Sequence, residues 1–194
     1  MIHGTILLDK PKNITSNRAL SIVKRKLSVK KAGIVGILDP LASGMLPIVL
    51  NEGTKLAKYI EPYEKEYQAV AKLGLISTTG DGEGVITKTE KGNPFKLTDI
   101  FIKNVLKDSI GKQKQTPPMY SGLKVNGVKL YDLARKGISI ERKDREINII
   151  DIKLISYEED ELCLNIICSK GTYIRTLIET IGEKLNTGAY TKDL

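Results

Sequence analysis

The change of hydrophobic period between residues 161 and 185 constrains this chain more than any other feature. Leu162, Leu164, Ile166 and Cys168 recur at every second position, which is the spacing of a strand with one buried face. After Gly171 the spacing lengthens. Ile174, Leu177, Ile178, Ile181 and Leu185 fall along one side of a helix. A strand that leads straight into an amphipathic helix calls for a sheet with a helical layer against it. Tyr67, Ala69, Ala71 and Leu73 predict a second half-buried strand. Ile147 and Ile149 alternate, and then Ile150, Ile152 and Leu154 take over the other parity, so a bulge or bend is expected between them.

The rest of the chain fits the same class. Residues 5–8 read as a short strand, followed by the turn Asp9-Lys10-Pro11-Lys12-Asn13. Thr15 or Ser16 is placed to cap a helix with Ala19, Leu20, Val23 and Leu27 on one face. A loop of small residues over 33–44 precedes the strand-like run Met45 to Leu50. Residues 54–60 suggest a short helix stopped by Pro62. Residues 77–84, with three glycines, read as a loop. Thr98 caps a helix carrying Ile102, Val105 and Leu106, Pro117-Pro118 marks a rigid connection, and a short helix spans 129–135. Thr172 is the expected cap of the last helix. The prediction is an α+β protein with a mixed, mainly antiparallel central sheet flanked by helices and loops. A length of 194 residues suits one large domain or one and a half small ones.

Composition narrows the chemistry. The only histidine is His3, so histidine acid–base catalysis in a cleft and histidine-ligated metal are not expected. Cys163 and Cys168 lie five apart in one strand and point to opposite faces, which argues against a bond between them. Neither opens a metal motif. The glycines at 80, 82 and 84 lack the Lys-Ser or Lys-Thr of a phosphate loop, and Asp81 with Glu83 supplies too few carboxylates for a paired-metal site. Any chemistry therefore rests on carboxylates, tyrosines, lysines or arginines.

A formal net charge of +8 favours a polyanionic partner. Lys24, Arg25, Lys26, Lys30 and Lys31 crowd the end of the first helix. They form either a solvated terminus or a phosphate-facing patch. No apolar run approaches a membrane span and the N-terminus lacks a signal-peptide pattern. A cytoplasmic location is the expectation.

Asp39 leads the candidates for chemistry. It stands in Gly36-Ile37-Leu38-Asp39-Pro40-Leu41-Ala42-Ser43-Gly44, a lone carboxylate with apolar neighbours. An aspartate in water has a pKa of about 3.9, so it is ionised and available as a nucleophile at neutral pH. Asp-Pro is also an ordinary way to start a turn. Arg175 lies in the first turn of the last helix, where a cation opposes the helix dipole. A nearby carboxylate or phosphate would account for it, as would an exposed pair with Glu179 one turn on. Only six of the 31 basic residues are arginines. Tyr67 and Tyr173 can stack on an extruded base or serve as core aromatics with satisfied hydroxyls. Lys10, in a turn directly after a strand, suits a buried backbone contact or a phosphate.

Six ordered blocks carry a resemblance. They are Leu8-Asp9-Lys10-Pro11 with Thr15-Ser16-Asn17, the run Gly36 to Pro47, Lys65-Glu66-Tyr67, the run Pro117 to Lys124, Leu130-Tyr131 with Ala134-Arg135, and Cys168 to Thr176. From about Gly4 to Leu185 the chain resembles the TruB-type bacterial tRNA pseudouridine-55 synthases. That resemblance implies the pseudouridine synthase fold and the isomerisation of a flipped uridine at position 55 in the T-loop of tRNA. Asp39 matches the catalytic aspartate, Tyr67 the tyrosine that contacts the flipped base, and Tyr173 a second buried tyrosine. Arg175 matches the arginine paired with the catalytic aspartate, and Lys10-Pro11 a segment that buttresses the active-site loop. Lys10, Lys24, Arg25, Lys30, Lys31 and Tyr173 are the expected substrate contacts. The family implies no metal, no organic cofactor and the tRNA T-arm as substrate, and a monomer is expected.

Residues 1–194 would be the catalytic domain. The C-terminal PUA-type RNA-binding domain would be absent, and tRNA affinity correspondingly weaker. Ile34-Val35 stands where a His-Thr pair is usual, Ile76 to Thr79 replaces an Arg-Thr-Asp-Thr stretch, Asn13 replaces a glycine, and Gly122 an alanine. Two alternatives stay open. One is a non-catalytic tRNA-binding or tRNA-folding protein. The other is a pseudouridine synthase acting at another RNA site.

Overall fold

The computed structural model describes residues 2–60 and 63–194, so the expected helix stop at Pro62 lies outside the described residues. The chain divides into two compact units, Met1–Tyr63 with Leu194, and Glu64–Asp193.

In the first unit, β1 (Gly4–Lys10), α1 (Ser16–Lys26), β2 (Ala32–Ile34) and β3 (Gly44–Leu50) are followed by a 3-10 turn at Asn51–Leu56 and the short α2 (Ala57–Ile60). The strands form an antiparallel sheet in the order β1-β3-β2, with Ile6 opposite Ile48 and Leu8 opposite Leu46. Thr15 caps α1, its hydroxyl accepting from Arg18 N at 3.1 Å. The expected helix face then packs inward. Leu20, Val23 and Leu27 join Ile6, Leu8 and Ile34 around buried Val29, Ile48 and Leu50. The opposite face of β1 and β3 stays open, with Leu7 67% and Met45 63% exposed.

The second unit begins with the long strand β4 (Glu64–Leu73) and the small hairpin of β5 (Leu75–Ser77) and β6 (Ile86–Lys88). It continues through α3 (Asp99–Lys107), β7 (Gly111–Gln115), the two-residue hairpin strands β8 (Lys124–Val125) and β9 (Val128–Lys129), and α4 (Leu130–Ala134). β10 (Arg145–Glu158), β11 (Glu161–Ser169), α5 (Ile174–Lys184) and β12 (Ala189–Asp193) complete it. The main sheet runs β12-β4-β11-β10-β7 with every neighbour antiparallel. Asp81 and Thr191 form a parallel bridge beside it.

Period-two alternation puts Ala69, Ala71, Leu162, Leu164 and Ile166 on one face, each fully buried. The apolar sides of α3 and α5 are buried too, through Ile102, Leu106, Leu177, Ile178 and Ile181. α5 packs on β12 and β4, and α3 on β10. Gly182 lets α5 approach β12, since a Cβ there would sit 2.4 Å from Ala189 N. The phase change in β10 is a real irregularity, with the register shifting between Ile149 and Asp151 and again between Leu154 and Ser156. Thr98 caps α3 as expected. Thr172 does not cap α5. Its hydroxyl donates back to Ser169 O at 2.8 Å, and Tyr173 takes the cap position with no side-chain cap.

Both cysteines are unbonded, Cys168 buried and Cys163 half-buried. The α+β class and the mixed, mainly antiparallel pairing are as the sequence predicts.

Candidate active-site residues

In the first unit, Asp39 sits in the connection between β2 and β3, half-buried. Asp39 O accepts from Ala42 N at 3.1 Å, a turn with Pro40 at its second position. Side chains and backbone from the β1–α1 region hold the residues on either side. Ser16, 3% exposed, donates its hydroxyl to Leu38 O at 2.8 Å and accepts from Leu38 N at 3.0 Å. Pro40 O accepts from Asn13 N at 2.8 Å and from Lys10 Nζ at 3.4 Å. Asn13 takes a left-handed φ of 65° to make that approach, a conformation asparagine tolerates better than most residues.

Lys10 is wholly buried. Its ammonium also donates to Pro11 O and Ile14 O, each at 2.9 Å. Of the two readings the sequence offers for Lys10, the backbone contact is the one seen, with the ammonium 0% exposed and occupied by main-chain carbonyls beside the Asp39 loop, in place of the exposed position a direct phosphate contact calls for. Of the other expected contacts, Arg25, Lys30 and Lys31 are exposed and Lys24 is half-buried, at and just past the end of α1.

In the second unit, Tyr67 lies on β4 opposite Ile166 of β11 and is half-buried. Tyr173 and Arg175 come together where α5 begins. Arg175 is 4% exposed, so the exposed pairing with Glu179 does not hold. Its guanidinium donates to Thr79 O and Tyr120 O, each at 2.8 Å, and pairs with Asp81 at 3.4 Å. A planar fork with several donors suits such a buried set of acceptors.

Asp81, weighed from the sequence only as a metal ligand, is the carboxylate that meets Arg175. Its carboxylate is 3% exposed and accepts from Thr79 Oγ1 at 2.5 Å and Glu83 N at 3.0 Å. The available signal was an unexplained arginine in a helix N-terminus, which already called for a carboxylate. Glu179 is held above the usual carboxylate range, first by burial and partly offset by the nearby Arg175. Gly80 packs against it, since a Cβ there would lie 3.0 Å from the Glu179 carboxylate. Among the described residues, no group of three His, Cys, Asp or Glu side chains is placed to hold a metal ion.

Known proteins resemble this chain in sequence and in fold. The model of the TruB family pseudouridylate synthase (N terminal domain) matches residues 24–174. The tRNA pseudouridine synthase B of Buchnera aphidicola subsp. Acyrthosiphon pisum is 48% identical over 97% of this chain and 60% of its own length. The corresponding protein of Nitrosococcus oceani is 47% identical over 97% of this chain and 61% of its own. The chain thus spans about 60% of the length of the curated relatives it matches. Among solved structures, a Cbf5-Nop10-Gar1 complex contains a chain that superposes with a TM-score of 0.75 at 28% identity, covering 98% of this chain and 47% of that one. An H/ACA RNP bound to a substrate RNA containing 2'-deoxyuridine gives a TM-score of 0.71 at 26% identity, covering 98% of this chain and 45% of that one.

Proposed function

The chain belongs to the TruB family of pseudouridylate synthases, and from that premise we propose that it isomerises uridine to pseudouridine at position 55 in the tRNA T-loop, with Asp39 as the nucleophile. The observation that carries the reading is the double grip on the loop around Asp39. Ser16 fixes Leu38 while Lys10 and Asn13 fix Pro40. A carboxylate whose two neighbours are pinned loses little freedom on reaching its reactive geometry.

In this reading the target base leaves its stack to enter the site. The Asp39 carboxylate attacks either the sugar C1' or the ring C6. By either route the N1–C1' bond breaks, the uracil turns, a C5–C1' bond forms, and the bond between Asp39 and the substrate breaks to return the free carboxylate. The proton on C5 is lost and N1 gains one, so product and substrate have the same atoms. Tyr67 stacks on the base, and Tyr173 lines the site. Arg175 serves as the family's active-site arginine, its guanidinium fixed by Thr79 O, Tyr120 O and Asp81. Arg25, Lys30 and Lys31, with Lys24, take phosphates of the T-arm. The enzyme works as a cytoplasmic monomer without metal or organic cofactor.

Because C5 loses its hydrogen by either route, T-arm RNA tritiated at the uridine C5 is the direct test. Release from that RNA, with none when uridine 55 is replaced by cytidine, is the expected result. Absence of release from both would end the proposal. A second reading, the same reaction at another RNA site, is favoured by Ile34. Where the family pattern has a histidine, this side chain packs into the core of the first unit. Release from other structured RNAs but not from the T-arm would favour it.

A further inference from the structure

Gln115 is the last residue of β7 and is 8% exposed. Its side-chain amide meets the main chain of Tyr173, 58 residues away, at both ends. Tyr173 N donates to Oε1 at 2.8 Å, and Nε2 donates to Tyr173 O at 3.0 Å. Tyr173 is the residue where α5 starts, and no side chain caps that helix in the usual way. Five residues beyond Gln115, Tyr120 O accepts from the Arg175 guanidinium at 2.8 Å. Pro117 and Pro118 stand between the two contacts, and their rings fix φ along the segment. Residues 115–120 therefore hold the first turn of α5 twice, once at the main chain of Tyr173 and once at the side chain of Arg175.

We infer that Gln115 is a positioning residue for the isomerisation, setting where Tyr173 and Arg175 stand. The inference rests on the reading that those two residues serve the reaction. An uncharged amide offers a donor and an acceptor side by side, which is what the N–H and C=O of one residue require. Burial hinders water from substituting, so loss of the amide takes from Tyr173 N the acceptor it has in Gln115 and from Tyr173 O one of two donors, the other being Leu177 N at 3.1 Å. The Pro-Pro strut carries the displacement on to Tyr120 O and hence to the guanidinium.

The test is a pH series on Gln115→Glu, with Gln115→Met as its companion. A protonated glutamic acid reproduces both bonds, its O–H donating to Tyr173 O and its carbonyl accepting from Tyr173 N. An ionised one has only acceptors and sets one against Tyr173 O. Burial beside a carbonyl raises the pKa of that acid. The restored form is thus present below the raised pKa and lost as pH rises through it. Tritium release from T-arm RNA should show kcat for Q115E about tenfold below wild type near pH 8. The ratio should climb toward one near about pH 5.5, with KM unchanged. Q115M should stay low throughout.

A merely structural role would change the folded fraction, read by circular dichroism, and would give no pH-dependent recovery of kcat at constant fold. The Q115E series is read within one protein, so it decides the matter even if Q115M does not fold. A flat Q115E ratio, or wild-type kcat in Q115M, overturns the inference alone. No release by wild type overturns the functional reading, and the positioning role with it.

Discussion

The loop of Asp39 in the first unit is held through the main chain of its neighbours, whereas Arg175 in the second unit is held by its own side chain. Ser16, Lys10 and Asn13 grip Leu38 and Pro40. Arg175 reaches out to Thr79 O, Tyr120 O and Asp81 by itself. For the nucleophile proposed at Asp39, which must offer its side chain to a reacting atom, a position secured from outside is an advantage. A guanidinium such as that of Arg175 can anchor itself, because it has donors enough for several acceptors. The contrast predicts different consequences for mutation. Around Asp39, changes at Ser16 and Lys10 should loosen the loop without touching the carboxylate, while around Arg175 the largest loss should come from Arg175 itself, with Gln115 acting on the main chain beside it.

The largest expected effect is on stability. Lys10→Met should lower the unfolding free energy by about 3 kcal/mol, because it removes the buried ammonium's bonds to Pro11 O, Ile14 O and Pro40 O and leaves Pro40 O with Asn13 N alone of the two donors named above. A urea midpoint equal to that of wild type would break the comparison on the Asp39 side. Arg175→Lys keeps the charge but cannot span the same acceptors, and turnover should fall about 100-fold from misplacement. Near-normal single-turnover rates would show that the fork is not the anchor. Ser16→Ala removes both bonds to Leu38 and should lower stability by about 1–2 kcal/mol. Faster hydrogen exchange at the Leu38 amide would accompany it.

Glu179→Gln sharpens the other side and is the smallest effect. Burial holds the Glu179 carboxyl above its ordinary range, so the folded pKa exceeds the unfolded one. Its contribution is fully present below the unfolded pKa and fades as pH rises through the folded pKa. E179Q should therefore melt slightly above wild type at neutral pH, with the gain vanishing toward about pH 4. A gain of equal size at both pH values would show that the carboxyl is not protonation-sensitive.

Much of this was legible in the sequence where periodicity carries a signal. The α5 face, the β11 alternation, the caps Thr15 and Thr98, and the break in β10 all follow from spacing and local hydrogen-bonding chemistry. Strands without apolar alternation did not announce themselves. β7, written Gly-Lys-Gln-Lys-Gln, is such a case. For Lys10 the sequence left a buried backbone contact and a phosphate both open, because lysine is rarely buried and only the three-dimensional meeting of several carbonyls makes burial tolerable. The roles of Asp81 and Gln115 were missed because each acts across a long stretch of chain, on Arg175 and on Tyr173. Thr172 looked like a cap by type and position. Its hydroxyl instead closes the Ser169 turn, an alternative that threonine always has.

The most direct test of the central claim is single-turnover conversion of T-arm RNA by wild type and by Asp39→Asn, a change that keeps size and lets the grips on Leu38 and Pro40 persist. The account predicts pseudouridine at position 55 with wild type, and none with D39N at an unchanged melting temperature. Conversion by D39N at the wild-type rate would contradict it.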